Sequence, residues 1–144
     1  MLRRIHPIAG MVGFLTILTF WISTAASELF GSVDTITAVK QAIPWGFLIL
    51  VPALAIAGAS GFRMAGNSSE PKIMSKKRRM PFIAGNGLVI LIPAGLYLAM
   101  LASHGEFGIL FYGIQALELV AGAVNLTLMS LNIRDGLRLT GRLA

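Results

Sequence analysis

FGILFYGIQALELVAGAVNLTLMSLNI, residues 107–133, is long enough to cross a membrane as a single helix. The run contains one charged residue, Glu118, with apolar sequence on both sides. A charged side chain at the centre of a spanning helix costs about 2.5–3.5 kcal/mol on insertion scales, so such residues usually have a buried partner or a function. Glu118 is therefore the first candidate functional residue.

Three more runs have similar length and apolarity, so the predicted spans are about residues 7–29, 41–62, 80–103 and 107–133. The composition agrees, because 56% of the residues are hydrophobic and 12% are charged, against about 25% charged in a soluble domain. The sequence predicts an all-α membrane protein with four transmembrane helices in an antiparallel bundle. Residues 1–144 are expected to form a single integral membrane domain.

The basic residues predict the orientation of the chain. Of the 12 lysines and arginines, all except Lys40 lie before the first run, between the second and third, or after the fourth. The positive-inside rule then places both termini, a basic loop at residues 63–79 and a short basic tail at residues 134–144 in the cytoplasm. Residues 32–40 are expected to form a short connection on the opposite side. The expected location is a bacterial inner membrane.

This orientation signal accounts for the net charge of +6 without a nucleic-acid partner. The expected partners are the lipid bilayer and further subunits, either copies of this chain or members of a larger membrane complex. Clusters of basic residues beside a span suit anionic lipid headgroups. The cluster in question is Lys76, Lys77, Arg78 and Arg79.

Polar residues accompany Glu118 along one face of its helix, where Gln115 and Asn125 lie at helical spacing from it. In neighbouring antiparallel spans, residues at the same distance from one membrane face can contact each other. On this basis Asn86 is predicted to contact Asn125, and Tyr97 is predicted to contact Gln115. Thr24 adds a hydroxyl from the first span. The predicted binding or proton-relay residues are Glu118, Gln115, Asn125, Asn86, Tyr97 and Thr24.

The sequence suggests no basic partner for Glu118 within its own chain, because Lys40 is expected to lie in a connection outside the membrane. Burial disfavours the charged form of a carboxyl group. Glu118 is therefore expected to be protonated or hydrogen-bonded to neighbouring polar groups, unless another subunit supplies a cation.

Three functions fit these features. The first is a proton-coupled transporter or permease for a small solute, working as an oligomer, with Glu118 as the group that binds the proton. The second is an accessory or structural subunit of a larger membrane complex, in which the polar face forms interhelical hydrogen bonds. The third is a membrane electron carrier that binds haem or quinone.

The two histidines, the candidate haem ligands, make the electron-carrier reading the weakest of the three. His6 is predicted at the cytoplasmic edge and His104 at the opposite edge, so they are not expected to ligate one iron within a chain. Haem b would need one histidine with a methionine, or His6 from two subunits. No cofactor is favoured, although haem b stays open as an alternative.

An enzymatic role has little support in the sequence. There is no cysteine, which excludes thiolate metal sites and covalent haem attachment. No zinc motif, phosphate-binding loop or nucleophile–base pair is apparent, so neither catalytic residues nor a metal site are predicted.

Overall fold

The structure, a computed structural model, describes residues 1–143 and is all-helical within that range. Four helical segments, Leu2–Phe30, Val33–Ala65, Pro71–Ser103 and Ile109–Leu139, are each long and apolar enough to cross a membrane. The third segment contains a π-helical turn and is therefore divided into two α-helices. The elements in chain order are α1 (Leu2–Phe30), α2 (Val33–Ala65), α3 (Pro71–Asn86), the π-helical turn (Gly87–Leu91), α4 (Ile92–Ser103) and α5 (Ile109–Leu139).

Helix α2 begins about two turns earlier than the predicted second span. The hydroxyl oxygen of Ser32 accepts a hydrogen bond from the backbone N–H of Thr35 at 3.3 Å and so caps the helix. Residues 32–40 are thus not a connection outside the helices, because only Gly31 and Ser32 separate α1 from α2. Lys40 consequently lies about 10 Å along α2 from its first residue.

Most of the predicted basic loop is also helical. Helix α3 begins at Pro71, where proline is well tolerated because a first-turn N–H has no intrahelical partner. The connection between α2 and α3 is therefore residues 66–70, and the basic cluster at residues 76–79 lies on α3. Most of the predicted tail is also helical, because α5 extends to Leu139; Ala144 lies outside the described residues.

The π-helical turn lies directly before Pro93. The backbone N–H of Ile92 bonds to the carbonyl of Gly87, one residue farther back than in an α-helix. Proline has no N–H to donate, and its ring crowds the carbonyl one turn earlier, so a wider turn relieves this conflict. The segment thereby continues through Pro93 without a break.

Two apolar clusters hold the helices together at different levels. One joins α2, α4 and α5 near Ile36, Leu98 and Phe111, and the other joins all four segments near Ile17 and Ile83. Small residues bring the helices close: a Cβ at Gly46 would overlap the Phe20 ring, and one at Gly122 would lie 2.9 Å from Trp21.

Charged residues of opposite sign concentrate at the two ends of the helices. The acidic end contains the α1–α2 and α4–α5 connections, and it carries Glu28, Asp34 and Glu106. The basic end contains the α2–α3 connection, the first residues of α1 and the last residues of α5. It carries every lysine and arginine except Lys40, together with Glu70 and Asp135.

Candidate functional site

A buried ion pair between α2 and α5 forms the centre of the candidate site. Lys40 Nζ lies 2.5 Å from Glu118 Oε2, with the lysine side chain fully buried and the glutamate side chain 12% exposed. Lys40 Nζ also lies 3.4 Å from the hydroxyl oxygen of Thr24 on α1. Three helices thus contribute to one polar cluster close to the acidic end.

The expectation that Glu118 has no basic partner in its own chain is wrong. Lys40 shares the buried face of α2 with Ile36 and Ile43, at the spacing of one helical stripe. This face packs inward, so the ammonium group is directed to the helix interface and meets the carboxylate there. The signal in the sequence was the pattern Ile36, Lys40, Ile43 after the Ser32 cap.

A second carboxylate lies near this ion pair. Glu28 is one helical turn beyond Thr24 on α1, and the Lys40 ammonium attracts its carboxylate. Glu28 Oε1 is buried without a hydrogen-bond partner among residues 1–143. Glu28 therefore belongs to the cluster around the ion pair, because one of its oxygens is buried and Lys40 attracts its carboxylate.

Gln115 is the most unusual polar residue of the cluster. It lies one turn before Glu118 on α5 and is 3% exposed, yet neither its amide nitrogen nor its amide oxygen has a partner in the described part of the chain. A buried amide without hydrogen bonds is unfavourable and usually marks a water or ligand position. The predicted contact with Tyr97 is not formed, because Tyr97 is 39% exposed and Gln115 is unpartnered.

A cavity of about 500 Å³ adjoins the ion pair. All four helical segments line it, mostly with apolar side chains, and Glu118 and Thr24 lie on its wall. Some of the lining residues are exposed at the surface of the protein, and these belong to α2, to α3 or to the π-helical turn. Examples are Val51, Phe62 and Leu88. The cavity therefore opens sideways between these two segments, toward the surface that a bilayer would cover.

The predicted contact between Asn86 and Asn125 is present at the other side of the cavity. Asn86 Nδ2 donates to Asn125 Oδ1 at 2.9 Å and to the carbonyl of Ala121 at 2.8 Å. Asn125 is fully buried, and its own Nδ2 donates to the carbonyl of Ile83 at 3.2 Å. These bonds fix α3 and the start of the π-helical turn against α5.

Replacing Asn125 with leucine is expected to destabilise the protein by about 1–3 kcal/mol, because Asn86 and a carbonyl lose buried partners. Thermal unfolding of the purified protein, followed by circular dichroism, measures this loss. Asn67→Leu, in the exposed α2–α3 connection, is the matched control and should leave the midpoint unchanged. Equal midpoints for the two variants would show that the asparagine contacts contribute nothing.

The basic end has a separate set of polar contacts. Arg79 on α3 forms a salt bridge of 2.6 Å with Asp135 on α5 and also donates to Asn132 at 3.2 Å. His6 Nδ1 lies 3.0 Å from the carbonyl of Ala57. This set connects the helices at the end opposite to Lys40 and Glu118.

The two histidines are not brought together. His6 lies at the basic end, whereas His104 is exposed at the acidic end, with its Nδ1 2.9 Å from the carbonyl of Met100 in its own helix. Within residues 1–143, no group of three or more histidine, aspartate or glutamate side chains could hold a metal ion. The polar groups that the structure brings together are the carboxylate of Glu118, the ammonium of Lys40 and the hydroxyl of Thr24.

Comparisons with models of protein families, with curated proteins and with solved structures found no match to this chain.

Proposed function

We propose that this protein is a small proton-coupled carrier in a bacterial inner membrane, and that Glu118 takes up and releases the proton. One observation carries the proposal: the Glu118 carboxylate pairs with a fully buried lysine and also lines a cavity inside the membrane-spanning region. Ionisable residues at such depth commonly mark ion or substrate pathways. A carboxylate that faces both a cation and an empty volume can exchange one partner for another.

The charge balance of the cluster suits such an exchange. When Glu118 is ionised, Lys40 binds it at 2.5 Å. When Glu118 accepts a proton, this attraction is lost, and Lys40 keeps Glu28 as a second carboxylate within its field. Lys40 thus has a partner in both states of Glu118, so neither state leaves an isolated ammonium in the membrane.

The proposed topology is an antiparallel four-helix bundle with both termini in the cytoplasm. The distribution of lysines and arginines supports this orientation, because the basic end contains all but one of them. Anionic lipid headgroups are the expected partners of the cluster at residues 76–79. The acidic end, with Glu28 near its surface, then faces the outside of the cell and provides the route for protons. A carrier of this size is expected to work as an oligomer.

The main alternative is an accessory subunit of a membrane complex in which the ion pair only joins α2 to α5. In that role the ion pair connects the two helices, and Glu118 stays ionised throughout. The two roles therefore differ in one measurable property, which is whether Glu118 titrates. The electron-carrier alternative has less support, since His6 and His104 lie at opposite ends of the helices.

Infrared difference spectra of the protein in lipid, recorded between mildly acidic and alkaline pH, test the proposal. We expect a carbonyl band of protonated carboxylic acid at acidic pH, and one component of this band should be absent in Glu118→Gln. The matched control Glu70→Gln removes an exposed carboxylate at the basic end and should retain the band. If the spectra of the wild type and Glu118→Gln do not differ in this region, Glu118 does not titrate and the accessory role is favoured.

A further inference from the structure

The buried cluster at the acidic end has an unbalanced charge. Glu28 and Glu118 supply two carboxylates, whereas Lys40 is the only lysine or arginine at that end among residues 1–143. Glu28 Oε1 is buried without a hydrogen-bond partner among these residues, and buried charge without a counterion is costly, so one more positive charge is favourable here. Under the proposed function a proton fills that place in one state of the carrier.

We propose that a lipophilic organic monocation, such as an alkylammonium ion, occupies the cavity in exchange for that proton. This inference rests on the proposed carrier function and specifies its substrate class. The positive group would lie at Glu118, and the apolar body would fill the remainder of the cavity.

The free polar atoms of the cavity favour a cationic head group. Trp21 Nε1 already donates to the carbonyl of Leu119 at 2.9 Å, and the Asn125 amide is used by Asn86 and Ile83. Glu118 uses Oε2 for Lys40, whereas its Oε1 has no hydrogen-bond partner in the described part of the chain. The available group is thus a carboxylate oxygen, which attracts cations and accepts hydrogen bonds.

The rest of the cavity favours an apolar body. Its volume of about 500 Å³ falls within the range of small-molecule sites. Phe20, Trp21 and Phe47 line the part near Glu118, and Phe20 and Phe47 are in edge-to-face contact with ring centroids 6.0 Å apart. Aromatic faces attract organic cations. Because the opening lies sideways between α2 and α3, a lipophilic molecule can enter from the bilayer.

The exchange balances in charge and in protons. In the proton-bound state of the proposed cycle Glu118 is neutral, and Lys40 keeps its contact with Thr24 and the electrostatic attraction of Glu28. Arrival of the monocation favours the ionised form of Glu118, and the released proton leaves past Gln115 and Glu28 at the acidic end. One positive charge enters the cluster as one leaves it. Helix α4 adds no charged group, because the residue of α4 next to Glu118 is Gly95.

The test uses two probes of the same length: protonated dodecyldimethylamine and the neutral N,N-dimethyldodecanamide. Trp21 lines the cavity, and the 74% exposed Trp45 is removed by Trp45→Phe, so tryptophan fluorescence in nanodiscs reports occupancy. We expect saturable binding of the amine, at least about tenfold tighter than that of the amide, because only the amine is attracted by the carboxylates. A pH-sensitive dye in weak buffer should detect proton release with the amine alone.

Three variants give this test its controls. Glu118→Gln and Glu28→Gln should each weaken amine binding at least about tenfold, whereas Asp34→Asn, an exposed acidic residue at the same end, should not. Glu28→Gln keeps the Lys40–Glu118 pair. It therefore provides the test of cation binding if Glu118→Gln fails to fold. Equal binding of amine and amide, or an unchanged affinity in Glu28→Gln, overturns the cation inference. It leaves the infrared titration of Glu118, and with it the proposed carrier function, unaffected.

Discussion

Lys40→Met is expected to lower the free energy of unfolding by about 3–5 kcal/mol, because it leaves a buried carboxylate without its partner. Lys40 is fully buried and lies 2.5 Å from Glu118, and methionine has a similar length to lysine without its charge. Denaturant titration in mixed micelles, followed by circular dichroism, measures the change. Lys77→Met is the control, because Lys77 lies at the basic end and donates only to an exposed carbonyl; it should change stability little.

Removing the other partner is expected to cost less. In Glu118→Gln the ammonium keeps Glu28 and Thr24 as neighbours, so a smaller loss is expected than in Lys40→Met. The double variant Lys40→Met/Glu118→Leu should recover most of the stability, because replacing both ions by apolar groups removes the unpaired charge. If the double variant is as unstable as the sum of the two single losses, the ion pair is not the source of the effect.

The helical segments themselves could be predicted from sequence because apolar length is a local property. Three of the helical segments contain a predicted run in full, and the fourth contains all of residues 107–133 except the first two. The extensions were missed because charged residues were taken to mark the membrane boundary. Helices continue beyond an apolar run wherever good helix formers follow, and the lysines and arginines of α3 are such residues.

The partner of Glu118 could not be identified by comparing depths alone. That comparison found the contact of Asn86 with Asn125, since both residues lie within their apolar runs. The comparison of depths did not include Lys40, because Lys40 precedes the second apolar run and was expected to lie outside the membrane. The Ser32 cap starts α2 early enough to carry Lys40 inward, and a long aliphatic stem allows the ammonium to reach Glu118. The π-helical turn and the sideways opening of the cavity depend on how several helices meet, and no single run encodes them.

Filling the cavity provides a test that does not alter any charge. Gly58 lines the cavity. Apart from its own helix backbone, the heavy atom of residues 1–143 that a Cβ built there would meet within 4 Å is Met80 Cε at 3.6 Å, an ordinary van der Waals contact. Gly58→Leu should therefore be accommodated with its side chain in the cavity. Leucine is also a better helix former than glycine, by somewhat less than the roughly 0.8–1 kcal/mol that separates glycine from alanine. We expect unchanged or higher thermal stability together with loss of saturable amine binding in the Trp21 assay.

Gly113→Leu is the matched control for this substitution. It is an exposed glycine on α5, outside the cavity, with no heavy atom within 4 Å of a built Cβ, so it has the same helix propensity gain without filling the cavity. It should bind the amine as the wild type does. If Gly58→Leu is stable and still binds the amine with wild-type affinity, the cation does not occupy this cavity. If Gly58→Leu loses amine binding while the infrared titration of Glu118 is unchanged, the apolar body of the amine occupies the cavity. Binding of the amine is then separable from protonation of Glu118.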